Sequence, residues 1–155
     1  MRINQLKTML DKETRLSYLV KEQGFNYAGK VQLTNPESIY NFMEERYQLS
    51  YQTEEHVYMM SFDTRNNLIG VFHISSGTVN CSLVSPREIF IKALLSNATY
   101  IILVHNHPAQ STNPSTEDLQ ITKRLVECGN TLNLKMLDHL IIGNGYTSLK
   151  EVGLI

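Results

Sequence analysis

The chain has only two cysteines, Cys81 and Cys128, and they do not stand in a paired spacing. That scarcity argues against a disulfide framework and a cysteine-built zinc cage, and free thiols suit a reducing cytoplasm. An excess of either charge is also missing: 14 Lys and Arg face 15 Asp and Glu, for a formal net charge of −1. Proteins whose main business is coating nucleic acid usually carry a clear basic excess, so that class is disfavoured, though a local patch is compatible with the balance. Long apolar runs are absent as well. The strongest, residues 100–104, falls far short of the ~20 residues of a membrane helix. Residues 1–11 are interrupted by Arg2, Asn4, Gln5 and Lys7 and form no signal-peptide core. There is no internal repeat and no low-complexity tract. What is present is 42% hydrophobic and 19% charged, the balance of a globular chain. Its length suits one domain that buries roughly 68–70% of its unfolded surface. The expectation is a soluble, cytoplasmic protein.

Ile3, Leu6, Met9, Leu10, Leu16, Leu19 and Val20 recur at spacings of three, four and their multiples, which predicts an amphipathic helix ending near Gly24. Its basic residues read as a solvated face rather than a nucleic-acid arm. Residues 1–34 are therefore expected to be an N-terminal helical extension, with 25–34 a link or short edge strand, ahead of a domain over 35–155. Asn35 and Pro36 supply a cap and a first-turn proline for a helix burying Ile39, Phe42, Met43 and Tyr47. Residues 57–62 and 68–74 read as antiparallel strands around a turn at 64–67. Val79, Cys81 and Leu83 alternate with polar residues as a further strand. Ser85-Pro86-Arg87-Glu88 has the form of a capping box opening a helix to about Asn97. A buried strand is expected over 99–104. The next helix starts at Ser115, buries Leu119, Thr122, Leu125 and Val126, and stops at Gly129; a last strand over 132–142 ends at Asn144-Gly145. The sum is an α/β (α+β) sandwich, a mixed central sheet flanked by helices.

The chemistry concentrates in Val104-His105-Asn106-His107-Pro108 and Ser115-Thr116-Glu117-Asp118. Histidines at i and i+2 of an extended segment project to one face, so both imidazoles can meet one ion. Asp118 falls in the first turn of the following helix, and the loop 109–114 folds that turn back over the strand end. Two nitrogens and one carboxylate leave a fourth tetrahedral position open, the mark of a catalytic zinc site. Each fragment alone has a plainer explanation: surface histidines, or an aspartate that merely completes a capping box worth ~1 kcal/mol. Two histidines and a carboxylate also fit a non-haem iron site. Zinc deaminases share a similar layered fold, but their H-x-E and C-x-x-C are both missing.

The segment resembles the JAMM motif of the JAB/MPN+ metallopeptidases, H-x-H, seven residues, S-x-x-D, matched here by His105, His107, Ser115 and Asp118. Residues 85–90, Asn97-Ala98, His105-Asn106-His107-Pro108 and residues 137–143 narrow the resemblance to the RadC branch, over roughly residues 35–155. Two features depart from it. Nothing in residues 1–34 resembles the helix-hairpin-helix region common in RadC proteins, and Ala109-Gln110 stands where their loop usually begins Ser-Gly. The resemblance implies an MPN/JAB architecture, related in layering to cytidine deaminases, and a bacterial source. It also implies a Zn2+ ion on His105, His107 and Asp118 that activates water against a peptide or isopeptide carbonyl. A glutamate near the start of the first central strand would be the base. Glu55 is the choice and Glu54 its rival, since neighbours on an extended segment face opposite ways. Ser115 would donate to the developing oxyanion.

Three functions compete: a JAMM-type hydrolase of a peptide or protein substrate, a metal-dependent enzyme of DNA metabolism such as DNA repair, and a partner-binding scaffold. Neutral charge counts against direct nucleic-acid binding, and intact ligands count against the scaffold. No membrane association is expected, while the N-terminal apolar stripe is compatible with a homodimer. His139 reads as a structural neighbour of the site, His73 as a packing residue, His56 as pointing away from the metal if Glu55 points toward it, and Arg87 as a surface ion-pair partner.

Overall fold

Asp11 decides the shape of the N-terminal segment. Its carboxylate accepts from the backbone N–H groups of Glu13 and Thr14, at 3.0 and 2.8 Å, and Arg15 takes a left-handed φ of 60°. This Asx-type turn replaces the expected helix with a hairpin of two antiparallel strands, β1 (Arg2–Leu10) and β2 (Ser17–Asn26). The apolar residues that mimic a helical stripe are used by a sheet. A register shift between Gln5 and Leu6 breaks the strict alternation that would have marked a strand. The computed structural model describes residues 2–28, 33, 35–77 and 84–155; the expected strand at Val79, Cys81 and Leu83 lies outside them, as does half of the link at 25–34.

The remaining strands are β3 (Glu55–Phe62), β4 (Leu68–Gly77), β5 (Tyr100–Asn106), β6 (Lys135–Gly143) and β7 (Gly145–Ser148). Among the described residues they join the hairpin in one seven-stranded mixed sheet of order β2-β1-β4-β3-β5-β6-β7. Pairing is antiparallel except for β1 with β4 and β5 with β6. Among the described residues three α-helices cover the two faces: α1 (Pro36–Tyr47) on one, α2 (Pro86–Leu95) and α3 (Thr116–Thr131) on the other. The sandwich expected from the sequence is the architecture found. Among the described residues no helix is long and apolar enough to cross a membrane.

Alternation along β5 sorts the core. Ile102 and Val104 pack with Ile39, Phe42 and Met43 of α1, whereas Ile101 and Leu103 pack with Ile89, Phe90, Ile121 and Leu125 of α2 and α3. His105 continues the second row and Asn106 the first.

Local chemistry sets the helix ends. The Asn35 side chain accepts from the Ser38 N–H at 3.1 Å, as the cap predicts. Ser85 occupies the N-cap of α2, but its side chain makes no cap hydrogen bond, so the expected capping box does not form there. Instead Glu88 pairs with Arg87 and Lys92 at 3.0 and 3.4 Å. The third helix runs past Gly129, the expected stop. That glycine is required for packing, because a Cβ on it would collide with the Leu134 carbonyl. The buried face of α3 carries Ile121, Thr122 and Leu125, rotated from the expected set by one position that leaves Leu119 half-buried.

Candidate metal centre

The centre sits where β5 ends. His105 is the last ring of its row, and the chain continues in register past Asn106, with the His107 N–H donating to the Ile142 carbonyl at 2.8 Å. The two rings therefore converge as alternation predicts, with His105 Nε2 3.0 Å from His107 Nε2. The loop 108–114 turns back over the end of β6, where Gly143 leaves room for it. A Cβ there would stand 2.5 Å from the Gln110 carbonyl oxygen, which instead accepts from the Asn144 N–H at 2.9 Å. Gln110 itself holds φ at 66°, a left-handed conformation that favours glycine and costs other residues about 1 kcal/mol or more. Its side chain offsets part of that cost by donating to the Ser50 carbonyl at 2.7 Å. The Gln in place of the expected glycine thus leaves the loop path intact.

At the loop's far end Ser115 caps α3 and forms a complete capping box. The Ser115 Oγ accepts from the Asp118 N–H at 3.1 Å, and Asp118 Oδ2 accepts from the Ser115 N–H at 2.7 Å. The box turns the aspartate inward, where it is 4% exposed. Its Oδ1 lies 3.2 Å from His105 Nε2 and its Oδ2 3.3 Å from His107 Nε2. The capping and metal-facing readings of Asp118 are therefore compatible: one carboxylate serves both. Burial works to raise the Asp118 carboxyl, but the His105 and His107 imidazoles beside it outweigh that effect and hold the group well below the usual carboxylate range. The Asp118 carboxylate conversely raises His107 against the opposing effect of its burial.

These side chains fit a divalent cation. The ligand atoms all lie within 4.8 Å of one another. Bonds of about 2.0–2.1 Å in a tetrahedron give ligand–ligand edges of about 3.3 Å, close to the 3.0 Å between the two Nε2 atoms and to the 3.2 and 3.3 Å by which each faces one oxygen of the Asp118 carboxylate. Nδ1 of His107 faces the Ser111 carbonyl at 3.0 Å. A carbonyl can only accept, so in the neutral ring the proton sits on Nδ1 and Nε2 presents a lone pair to the site.

Glu55 and Glu54 both line the cleft beside this cluster, a cavity of about 500 Å³ whose walls also include Thr53, Gly77, His107 and Ser115. The electrostatic influence of His105, His107 and Asp118 falls on Glu55. Burial raises its carboxyl, the two histidines pull it down, and Asp118 adds to the rise, leaving it above the ordinary range. Asn106, between the two histidines, fixes that position in a way the sequence reading did not foresee. Its Nδ2 donates to the Glu54 carbonyl at 3.0 Å and its Oδ1 accepts from the His56 N–H at 2.7 Å, so the amide brackets Glu55 on both sides.

The other histidines divide. His56 and His73 face each other at 3.3 Å across β3 and β4. His139 is fully buried behind the cluster, its Nε2 2.8 Å from His105 Nδ1 and its Nδ1 2.6 Å from Thr122 Oγ1. Burial pushes its imidazole well below the usual histidine range, and His105 adds in the same direction. From the sequence Thr122 is only a helix-face residue. Its chemical part is invisible without the packing of α3 on β6. Asp138 instead binds the sheet end, accepting from Ser148 Oγ at 2.5 Å and the Lys150 N–H at 3.0 Å.

Residues 33–154 match the model of the RadC-like JAB domain. A UPF0758 protein of Caldanaerobacter subterraneus subsp. tengcongensis is 42% identical over 150 residues, 96% of this chain and 61% of that protein. One from Clostridium acetobutylicum is 44% identical over 126 residues, 81% of this chain and 54% of its own length. Another from Alkaliphilus oremlandii is 37% identical over 153 residues, 98% and 62% respectively. The chain thus spans just over half to about three-fifths of the length of these curated relatives.

Proposed function

The chain belongs to the RadC-like JAB domain family, and from that premise we propose that it is a zinc-dependent hydrolase of the JAMM type, acting on a peptide or isopeptide carbonyl. The reading is carried by the convergence of His105, His107 and the Asp118 carboxylate at 3.0, 3.2 and 3.3 Å beside a cleft lined by Glu55 and Ser115. Held by these three side chains, a zinc ion would supply Lewis acidity and lower the pKa of water at the site toward about 7.

The chain's own groups do the rest. Glu55, raised by burial, takes a proton from the attacking water at its carboxylate and returns it to the leaving nitrogen. The Ser115 oxygen receives the Asp118 N–H, which leaves its hydroxyl hydrogen to donate to the carbonyl oxygen as that atom gains charge. One donor of this kind is worth ~3–4 kcal/mol. The substrate class follows from charge. Among the described residues the cleft lining includes Glu54 and Glu55 and no lysine or arginine, a wall that repels a phosphate backbone and tolerates a neutral amide.

Metal analysis by mass spectrometry on protein purified without added metal tests the site. About one zinc per chain is expected, lost in Asp118→Ala. Glu55→Gln should keep the metal and lose cleavage by roughly 10²–10⁴-fold in a screen of peptide and isopeptide substrates. No metal in the folded wild type would overturn the reading and favour a partner-binding scaffold.

A further inference from the structure

Thr122 has one hydroxyl hydrogen and two close polar neighbours, the Asp118 backbone carbonyl and His139 Nδ1, both at 2.6 Å. The carbonyl has no hydrogen to give. The hydroxyl must therefore donate to it, or two lone pairs would face each other at 2.6 Å. That commits the Thr122 oxygen as an acceptor toward the second neighbour, and the hydrogen of His139 sits on Nδ1. His139 lies in the interior, 1% exposed, where a neutral ring is the favoured form. Its Nε2 is then an acceptor, and His105 Nδ1 at 2.8 Å must donate to it. The last consequence falls on the site: the single proton of His105 is on Nδ1, and its Nε2 is bare.

We infer that Thr122 and His139 are positioning residues, a buried relay that fixes His105 in the tautomer able to bind a metal through Nε2. The relay has something to oppose. Asp118 Oδ1 lies 3.2 Å from His105 Nε2, and a carboxylate at that distance draws a proton onto the nitrogen that must stay free. The Asp118 backbone anchors one end of the relay while its carboxylate faces the other end, so the circuit joins β5, β6 and α3 around a single residue. The inference rests on the reading of His105, His107 and Asp118 as metal ligands and adds to it two residues that touch neither metal nor substrate.

The test uses the 155-residue chain stripped of metal. Zinc affinity is measured by competition with a chromophoric chelator for wild type, Thr122→Val, Thr122→Ser and Asp118→Ala. In parallel, ring nitrogen-15 NMR of the histidines reports which nitrogen of His105 carries the proton. Thr122→Val should bind zinc 10–100-fold more weakly, the range found when outer partners of metal ligands are removed. Thr122→Ser, which keeps the hydroxyl, should stay near wild type. His105 should show Nδ1–H in wild type and in the serine variant, and shift toward Nε2–H with valine. A proton on Nε2 of wild-type His105 overturns the relay, even where the valine variant does not fold. Equal zinc affinity in folded Thr122→Val and wild type overturns it too, while leaving the metal site standing. Failure of the wild type to bind zinc would sink the site itself, and the NMR arm would still decide the relay.

Discussion

Two helices begin on the same pattern, a serine followed three positions later by an acid, and the chain uses them differently. At α2, Ser85 has the extended cap conformation, φ −86° and ψ 129°, yet makes no side-chain cap bond. Glu88 stays 49% exposed and pairs with Arg87 and Lys92. At α3, Ser115 has φ −76° and ψ 167°, the capping box is complete, and Asp118 is buried against two imidazoles. Both helices pack on the same face of the sheet. The pattern thus sets where a helix starts, and burial decides what the acid does. An exposed glutamate can spend its charge on water and neighbouring cations at little gain. A buried aspartate must find partners for every oxygen, and here those partners are the cap and the histidines.

The sharpest break of this comparison is to remove each acid and add zinc. At zinc 100-fold above its dissociation constant, wild type and Glu88→Ala should gain about 2.7 kcal/mol, or roughly 5–10 °C in Tm for a chain of this size. Asp118→Ala should gain nothing. Equal shifts in both variants would remove Asp118 from the site. Apart from metal binding, Glu88→Ala should change stability by less than about 0.5 kcal/mol in urea titration.

A second contrast uses pH. α3 is tied to β6 through Thr122 and His139, and the folded His139 imidazole is depressed below the ordinary 6.5. As pH falls below about 6.5, the unfolded chain takes up a proton that folded His139 refuses, so stability falls toward the folded pKa. Each such proton contributes a slope of at most ~1.4 kcal/mol per pH unit. Urea midpoints of the metal-free protein from pH 7.5 to 5.5 should therefore fall more steeply for wild type than for His139→Gln. Ser85→Ala should follow the wild-type slope. Parallel lines for wild type and His139→Gln would mean that the ring is not kept neutral by burial.

The site's skeleton was legible because its parts obey short-range rules. Alternation brings His105 and His107 to one point, and helix-start chemistry turns Asp118 toward them. What was not legible depends on partners distant in sequence. Thr122 and His139 meet across 17 residues, and Asn106 reaches the backbone on either side of Glu55 some 50 residues away. The N-terminal hairpin departs from its helical spacing for a related reason. Its apolar residues fit a helical period by spacing, but pairing with β4 and the register shift at Gln5/Leu6 override it. The signal that could have corrected the reading was local: Asp11 with Glu13 and Thr14 behind it, a turn between two runs long enough to be strands.

The smallest expected effect separates the two duties of Ser115. Ser115→Ala removes an acceptor that holds the Asp118 N–H at 3.1 Å and should cost about 1 kcal/mol. Ser85→Ala removes no cap bond and should stay within about 0.5 kcal/mol in the same urea titration. Equal losses would mean that side-chain capping does not distinguish the two helix starts. Ser115→Gly then divides structure from chemistry. Glycine at a helix start costs only about a few tenths of a kcal/mol and has no side-chain donor to offer a carbonyl oxygen, so this variant should recover most of the stability lost in Ser115→Ala while hydrolysis stays impaired. Recovery of both together would reduce Ser115 to a cap that only holds Asp118 in place.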